Sequence, residues 1–199
     1  KSMKSALLNT LFYSMVFPIL TTIFAIPLSL ALNSKMKSRN LQRAFFFFTS
    51  VPSAIILGYL WAYILAPTSS GLLNKFLGLF GINPVMWLST PKTAMFSVIM
   101  VNLWSVLGWH ACIYLAQLQS IPAEYYEAAT VDGANAWQKF RYITFPMLAS
   151  AMTVSVMLLL VNSMKIFDLP LALTNGGPGT STTMISQIII KTGFVEKSY

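Results

Sequence analysis

Few residues of this 199-residue chain are of the types that make and break bonds, and their spacing limits the chemistry open to it. His110 is the single histidine, and the apolar stretches around it hold no carboxylate, so neighbours in sequence assemble neither a metal-ligand set nor a general acid–base pair. Cys112 is the single cysteine and lies inside an apolar run, which leaves it a packing role. Gly176, Gly177 and Gly179 are followed by no lysine, and no Gly-x-x-x-x-Gly-Lys-Ser/Thr run occurs, so no phosphate cradle for ATP is present; Asn175-Gly-Gly-Pro-Gly179 reads as a turn. What remains is polar chemistry in apolar surroundings: Asn102 and His110 in one stretch, Asn162 and Ser163 near the end of another. Polar groups in such places either bond a neighbouring helix or line a pathway. Asn102 and His110 are about 80 degrees apart around a helix, which suits a common face. Trp104 and Trp109 offer flat surfaces on which a ring can stack, although aromatic residues are also ordinary packing. Structure is the default reading of all these residues; Asn102, Trp104, His110 and Asn162 are the candidates for lining a path, with no catalytic and no metal residue assigned.

The elements that position them are set by composition. Hydrophobic residues make up 56% of the chain and charged residues only 9%, where a soluble domain carries about 25% charged residues. With a mean hydropathy of +0.66 and 14% aromatic residues, the solvent is mostly bilayer. Four stretches, about 5–32, 44–66, 93–118 and 146–164, reach the length of a spanning helix. Pro18 and Pro27 fall inside the first, where kinks are expected.

The net charge of +8 has no continuous basic face behind it, which argues against nucleic acid and for membrane topology. Lys35, Lys37, Arg39 and Arg43 crowd the connection 33–43 without an acid, which places it in the cytoplasm. The connection 119–145, with Lys139 and Arg141, then falls on the same side, and 67–92 and 165–180 on the other, together with Lys1, Lys4, Lys75, Lys92 and Lys165. In 67–92 the spacing of Leu72, Leu73, Phe76, Leu79 and Phe80 predicts a short helix lying in the interface, either a simple surface loop or a ledge for an external partner, with Trp87 as an interfacial anchor.

Between the third and fourth stretches the chain predicts two short helices. Pro122 suits a first turn, Glu124 and Glu127 favour its positive end, Ala128 and Ala129 propagate it, and Gly133 ends it in a left-handed conformation. Asn135 caps the second helix, which carries Trp137 and Phe140 on one face to anchor it, and Pro146 turns the chain back into the membrane. Small side chains at Ala128, Ala129 and Gly133 leave the backbone open to close approach.

Glu127-Ala-Ala, then Gly133, then Ile143-x-Phe145-Pro146 resembles the EAA loop of binding-protein-dependent ABC importer permeases, with Phe145 where the usual loop has Leu. Leu8-Asn-Thr-Leu11, Gly71-Leu-Leu-Asn74 and the run from Phe167 to Gly179 resemble sugar-importer permeases of the maltose and glycerol-phosphate type. The resemblance implies an all-α, polytopic transmembrane bundle of the type I ABC importer permease class, here truncated at both ends, in a bacterial inner membrane. It implies Glu127, Ala128, Ala129, Gly133, Ile143 and Pro146 as the coupling residues. The partners implied are a cytoplasmic ABC ATPase dimer that binds the ATP, a second homologous permease, an extracytoplasmic solute-binding protein and membrane lipid. The chain itself is then no enzyme and carries no cofactor; its cargo is a sugar or a related solute. An ATP-independent channel or secondary carrier is the alternative, disfavoured by the few charges in the apolar stretches. A membrane-embedded enzyme ranks last, since the spans lack acid, base and metal residues.

Overall fold

The computed structural model describes residues 2–34, 39–67 and 71–195, so Lys1, Lys35 and Lys37 lie outside the described residues. Among the described residues there are helices and turns and no strand.

Helix α1 (Ser2–Asn33) is apolar on all sides and runs through Pro18 and Pro27 without interruption. Its side chains at Leu8, Phe12, Met15, Ile19 and Ile23 form an exposed stripe at helical spacing, the surface a lipid-facing helix presents. Three shorter helices follow, α2 (Arg39–Phe48), α3 (Ala54–Ile64) and α4 (Leu72–Gly78), and then a second long one, α5 (Pro91–Ser120). Only α1 and α5 are each long and apolar enough to cross a membrane, among the described residues. After α5 come α6 (Ala123–Val131), α7 (Ala136–Lys139), a π-helical turn over Phe140–Thr144, α8 (Phe145–Met147), α9 (Ala149–Met164), α10 (Asp168–Thr174) and α11 (Ile185–Ile190). The helical run Ala136–Met147 and α9 are bent by 61° at Leu148 and make a third crossing if counted together.

In place of one helix over 44–66, α2 and α3 are separated by a break at 49–53. The break has local causes. Pro52 disfavours a helical residue before it, and the Ser53 side chain accepts from the Ile56 N–H and starts α3 afresh. Within the break, the Thr49 and Ser50 hydroxyls donate to the Ser105 carbonyl of α5 at 3.4 and 2.6 Å.

The chain divides into two compact units. Unit 1 comprises Lys1–Phe17, Pro52–Trp104 and Leu160–Tyr199; unit 2 comprises Pro18–Val51 and Ser105–Leu159.

In unit 1, α3 packs on α10, and Gly58 permits the approach: a Cβ there would lie 2.5 Å from the Ala172 Cβ. The start of α1 ties down the 175–185 turn. Asn9 Nδ2 donates to the Thr180 and Thr183 carbonyls at 2.8 and 3.1 Å, and Thr10 Oγ1 accepts from the Ile185 N–H, so α1 caps the first turn of α11 from outside that helix. The glycine-rich turn takes the expected form, with Asn175, Gly176 and Gly179 at positive φ.

In unit 2 the core gathers Ala25, Ile26 and Leu32 of α1, Ala111, Tyr114, Leu115 and Leu118 of α5, and Leu148 and Ala151 at the bend. Arg43 of α2 donates to the Leu32 carbonyl at 3.1 Å, holding the end of α1.

Candidate functional site

The connection after α5 forms a compact projection of unit 2. Pro122 stands just ahead of α6 in an extended conformation (ψ 137°), as the capping residue and not inside the first turn, and Glu124 occupies that turn. The end of α6 is a complete Schellman motif: Gly133 at φ +76° donates its N–H to the Thr130 carbonyl (3.1 Å), and the Ala134 N–H reaches the Ala129 carbonyl (2.8 Å). One residue later α7 opens with a reciprocal cap, in which the Gln138 N–H donates to Asn135 Oδ1 (2.9 Å) and the Asn135 N–H to Gln138 Oε1 (2.8 Å). Two consecutive caps leave no slack between α6 and α7.

Side chains then lock the two helices to each other and to the core. Lys139 Nζ donates to Thr130 Oγ1 at 2.8 Å, and the Tyr126 hydroxyl is 3.0 Å from Thr144 Oγ1. Thr144 is buried in the π-helical turn, and Phe140, Ile143 and Tyr126 pack against the unit 2 core. Gln117 Nε2 of α5 donates to the Met147 carbonyl at 3.1 Å, satisfying a backbone group at the 61° bend. The expected aromatic anchor is therefore Phe140 alone. Trp137 touches Phe140, with ring centroids 5.6 Å apart, but is itself 69% exposed, because a helix of one turn presents only one of the two rings to the core.

Of the six coupling residues read from the sequence, Glu127, Ala128, Gly133 and Pro146 are exposed and Ala129 and Ile143 half-buried. Among the described residues nothing lies within 4 Å of the point where a Gly133 Cβ would stand, so the glycine faces open space on the projection. Tyr126, Thr130, Thr144 and Gln117, which fasten the projection, are not singled out by the sequence, and Lys139 is singled out there only as a marker of topology. The (i, i+4) spacing of Tyr126 and Thr130 is the one available signal, and the bond from Thr130 Oγ1 to the Tyr126 carbonyl (2.6 Å) matches it.

The path candidates are each held within their own unit. Asn102 belongs to unit 1, where its side-chain amide donates to the hydroxyl of the fully buried Tyr13 on α1. His110 belongs to unit 2, buried, with Nδ1 2.8 Å from Ser155 Oγ on α9. Each is thus a bond between two helices of its own unit. Trp104 is 42% exposed and packs edge-on against Trp61 at 5.4 Å; Asn162 on α9 is exposed.

Thr144→Val keeps the shape of the side chain and removes its hydroxyl. Loosening of α6 by about 1 kcal/mol is expected, read as roughly fivefold faster amide exchange over 123–131; unchanged exchange would show that the Tyr126–Thr144 pair holds nothing.

Comparison with known proteins extends over almost the whole chain. The family described as binding-protein-dependent transport system inner membrane component matches residues 5–194. A probable starch degradation products transport system permease protein, AmyD of Thermoanaerobacterium thermosulfurigenes, is 35% identical over 88% of this chain and 59% of its own length. The trehalose/maltose transport system permease protein MalF of Thermococcus litoralis is 36% identical over 89% of this chain and 60% of its own. The chain therefore spans about three fifths of these curated relatives. Among solved structures, a bacterial ABC transporter involved in the import of the acidic polysaccharide alginate superposes with a TM-score of 0.90 at 27% identity, covering 100% of this chain and 70% of that one. A second structure of the alginate transporter, in complex with an alginate pentasaccharide-bound periplasmic protein, gives 0.87 at 28% identity over 97% of this chain and 68% of that one.

Proposed function

The chain belongs to the binding-protein-dependent transport system inner membrane components, and from that premise we propose that it is a permease subunit of an ATP-driven importer of carbohydrate in a bacterial inner membrane. Its fold is that of an ABC transporter permease, an all-α integral membrane protein. The observation that carries the proposal is the projection built from α6 and α7: exposed small residues at Ala128 and Gly133, an exposed Glu127, and a base fastened to the helix core through Tyr126, Thr144 and Phe140. A knob exposed at its tip and fastened at its base supports a role in passing force to the helices.

In this reading the projection seats in a cytoplasmic ATPase dimer, with Glu127 and Gly133 at the contact. Closure of the dimer on ATP draws it toward the matching knob of a second permease, and the bend at Leu148 carries the movement into α9. Hydrolysis lets it return. ATP and any cofactor role stay with the partner, and an extracytoplasmic binding protein delivers the cargo. A carbohydrate cargo is supported by the substrates named for the relatives. Trp104 and Asn162 are the path residues best placed to meet it, being exposed, whereas Asn102 and His110 act through the helices they join.

The test is uptake of labelled oligosaccharides by proteoliposomes holding the assembled transporter. Uptake is expected only with hydrolysable ATP on the ATPase side, and Asn162→Ala is expected to lower it without loss of assembly. Uptake that continues without ATP would overturn the proposal in favour of a channel or secondary carrier.

A further inference from the structure

Helix α4 is amphipathic in the reverse of the sense that water imposes. Its polar residue faces inward: Asn74 is 2% exposed and organises the segment around it, with Nδ2 donating to the Ala66 and Val85 carbonyls (3.2 and 3.0 Å) and Oδ1 accepting from the Val85 N–H and Trp87 Nε1 (3.1 and 3.0 Å). Gly71 lets the chain close against Ala66, since a Cβ there would lie 2.4 Å from its carbonyl oxygen. The large apolar residues face out. Leu72 and Phe76, together with Leu79 and Phe80 on the turn that continues α4, lie on the side opposite Asn74 at about 100 degrees per residue, with exposures from 48% at Leu72 to 81% at Leu79. Phe76 and Phe80 pair edge-on at 5.3 Å, so the face is a formed surface.

Four large apolar side chains side by side make a patch that water disfavours. The segment joins the apolar helix α3 to the membrane-crossing α5, so the neighbouring medium at this depth is the edge of the bilayer. The charge agrees: 65–92 contains Lys75 and Lys92 and no acidic residue, and Lys75, exposed, borders the apolar face. We propose that α4 is a lipid-interface anchor: the Leu72, Phe76, Leu79 and Phe80 face sits in the acyl–headgroup boundary with Lys75 at phosphate level, and the Asn74 hub transfers that fixed depth to the loop between α3 and α5.

The experiment uses the assembled transporter in nanodiscs of phosphatidylethanolamine and phosphatidylglycerol, in a Cys112→Ala background. Single nitroxide labels are placed at Phe76→Cys, Leu79→Cys, Phe80→Cys and, on the other flank of the helix, Gly78→Cys. Four independent exposed sites guard against the loss of any one variant. Labels at 76, 79 and 80 are expected to be relaxed more by oxygen than by a water-soluble nickel chelate, with the reverse at 78. Equal nickel access at all four positions would overturn the proposal. So would nickel access at 76, 79 and 80 that disappears only when the binding protein is added, which would give the face to that protein.

Discussion

Gly133→Val is expected to leave the chain in the membrane and to cut ATP-driven uptake by at least about tenfold. Gly133 holds φ at +76°, where a β-branched residue is strained by about 1–3 kcal/mol. That strain falls on the hinge of the Schellman motif, and relief means losing the Ala134 to Ala129 bond and with it the fixed angle between α6 and α7. A Cβ there has nothing within 4 Å among the described residues, so the added bulk is turned toward whatever partner the projection approaches. Gly133→Asn separates the two effects, because Asn tolerates the left-handed conformation but still adds bulk. Uptake and ATPase association measured together check the prediction. An ATPase that still binds but no longer drives uptake in the Val variant points to the angle, and loss of binding in both variants points to the surface.

The second large effect lies at Gly108 on α5. A Cβ at this position would stand 2.0 Å from the Phe46 carbonyl oxygen and 2.4 Å from its carbon, so it collides with backbone and not with the movable end of a side chain. Gly108→Val therefore displaces the end of α2 and, with it, the Thr49 and Ser50 hydroxyls that bond the Ser105 carbonyl. A loss of about 1–3 kcal/mol or more is expected from overpacking alone, read as a lower thermal midpoint and poorer recovery from the membrane. Gly78→Ala is the matched control, since among the described residues nothing lies within 4 Å of its added methyl and a helical alanine is favoured by up to about 1 kcal/mol. Equal stability of the two variants would contradict the account of this helix crossing.

Gly133 and Gly108 differ in how their roles are written in the chain. Gly133 and Asn135 act through their own neighbours: a left-handed residue ends α6, and an Asn with Gln three places on opens α7. Such signals lie within a turn of chain and are legible from the residues alone. Gly108 matters because Phe46, 62 positions earlier, comes to meet it, and nothing around Gly108 announces that partner. The same holds for Gln117 at the Met147 carbonyl, for Thr144 under Tyr126, and for Ser155 beside His110. Hydropathy locates 44–66 as apolar, but it does not register the local causes of the break at 49–53: Pro52, the Ser53 side chain that accepts from the Ile56 N–H, and the Thr49 and Ser50 hydroxyls that donate to the Ser105 carbonyl. Asn102 and His110 share an angular sector of α5, yet angle around one helix does not determine which neighbouring helix each side chain finds; one meets Tyr13 and the other Ser155.

The most direct test replaces Ala128, exposed on α6, with the photocrosslinker benzoylphenylalanine in the assembled transporter, with a second sample carrying it at Leu79 in unit 1. Irradiation should join position 128 to the ATPase subunit and leave position 79 without any such adduct. An ATPase that never crosslinks to position 128, or an adduct there with the extracytoplasmic binding protein, would contradict the assignment of this projection to force transfer.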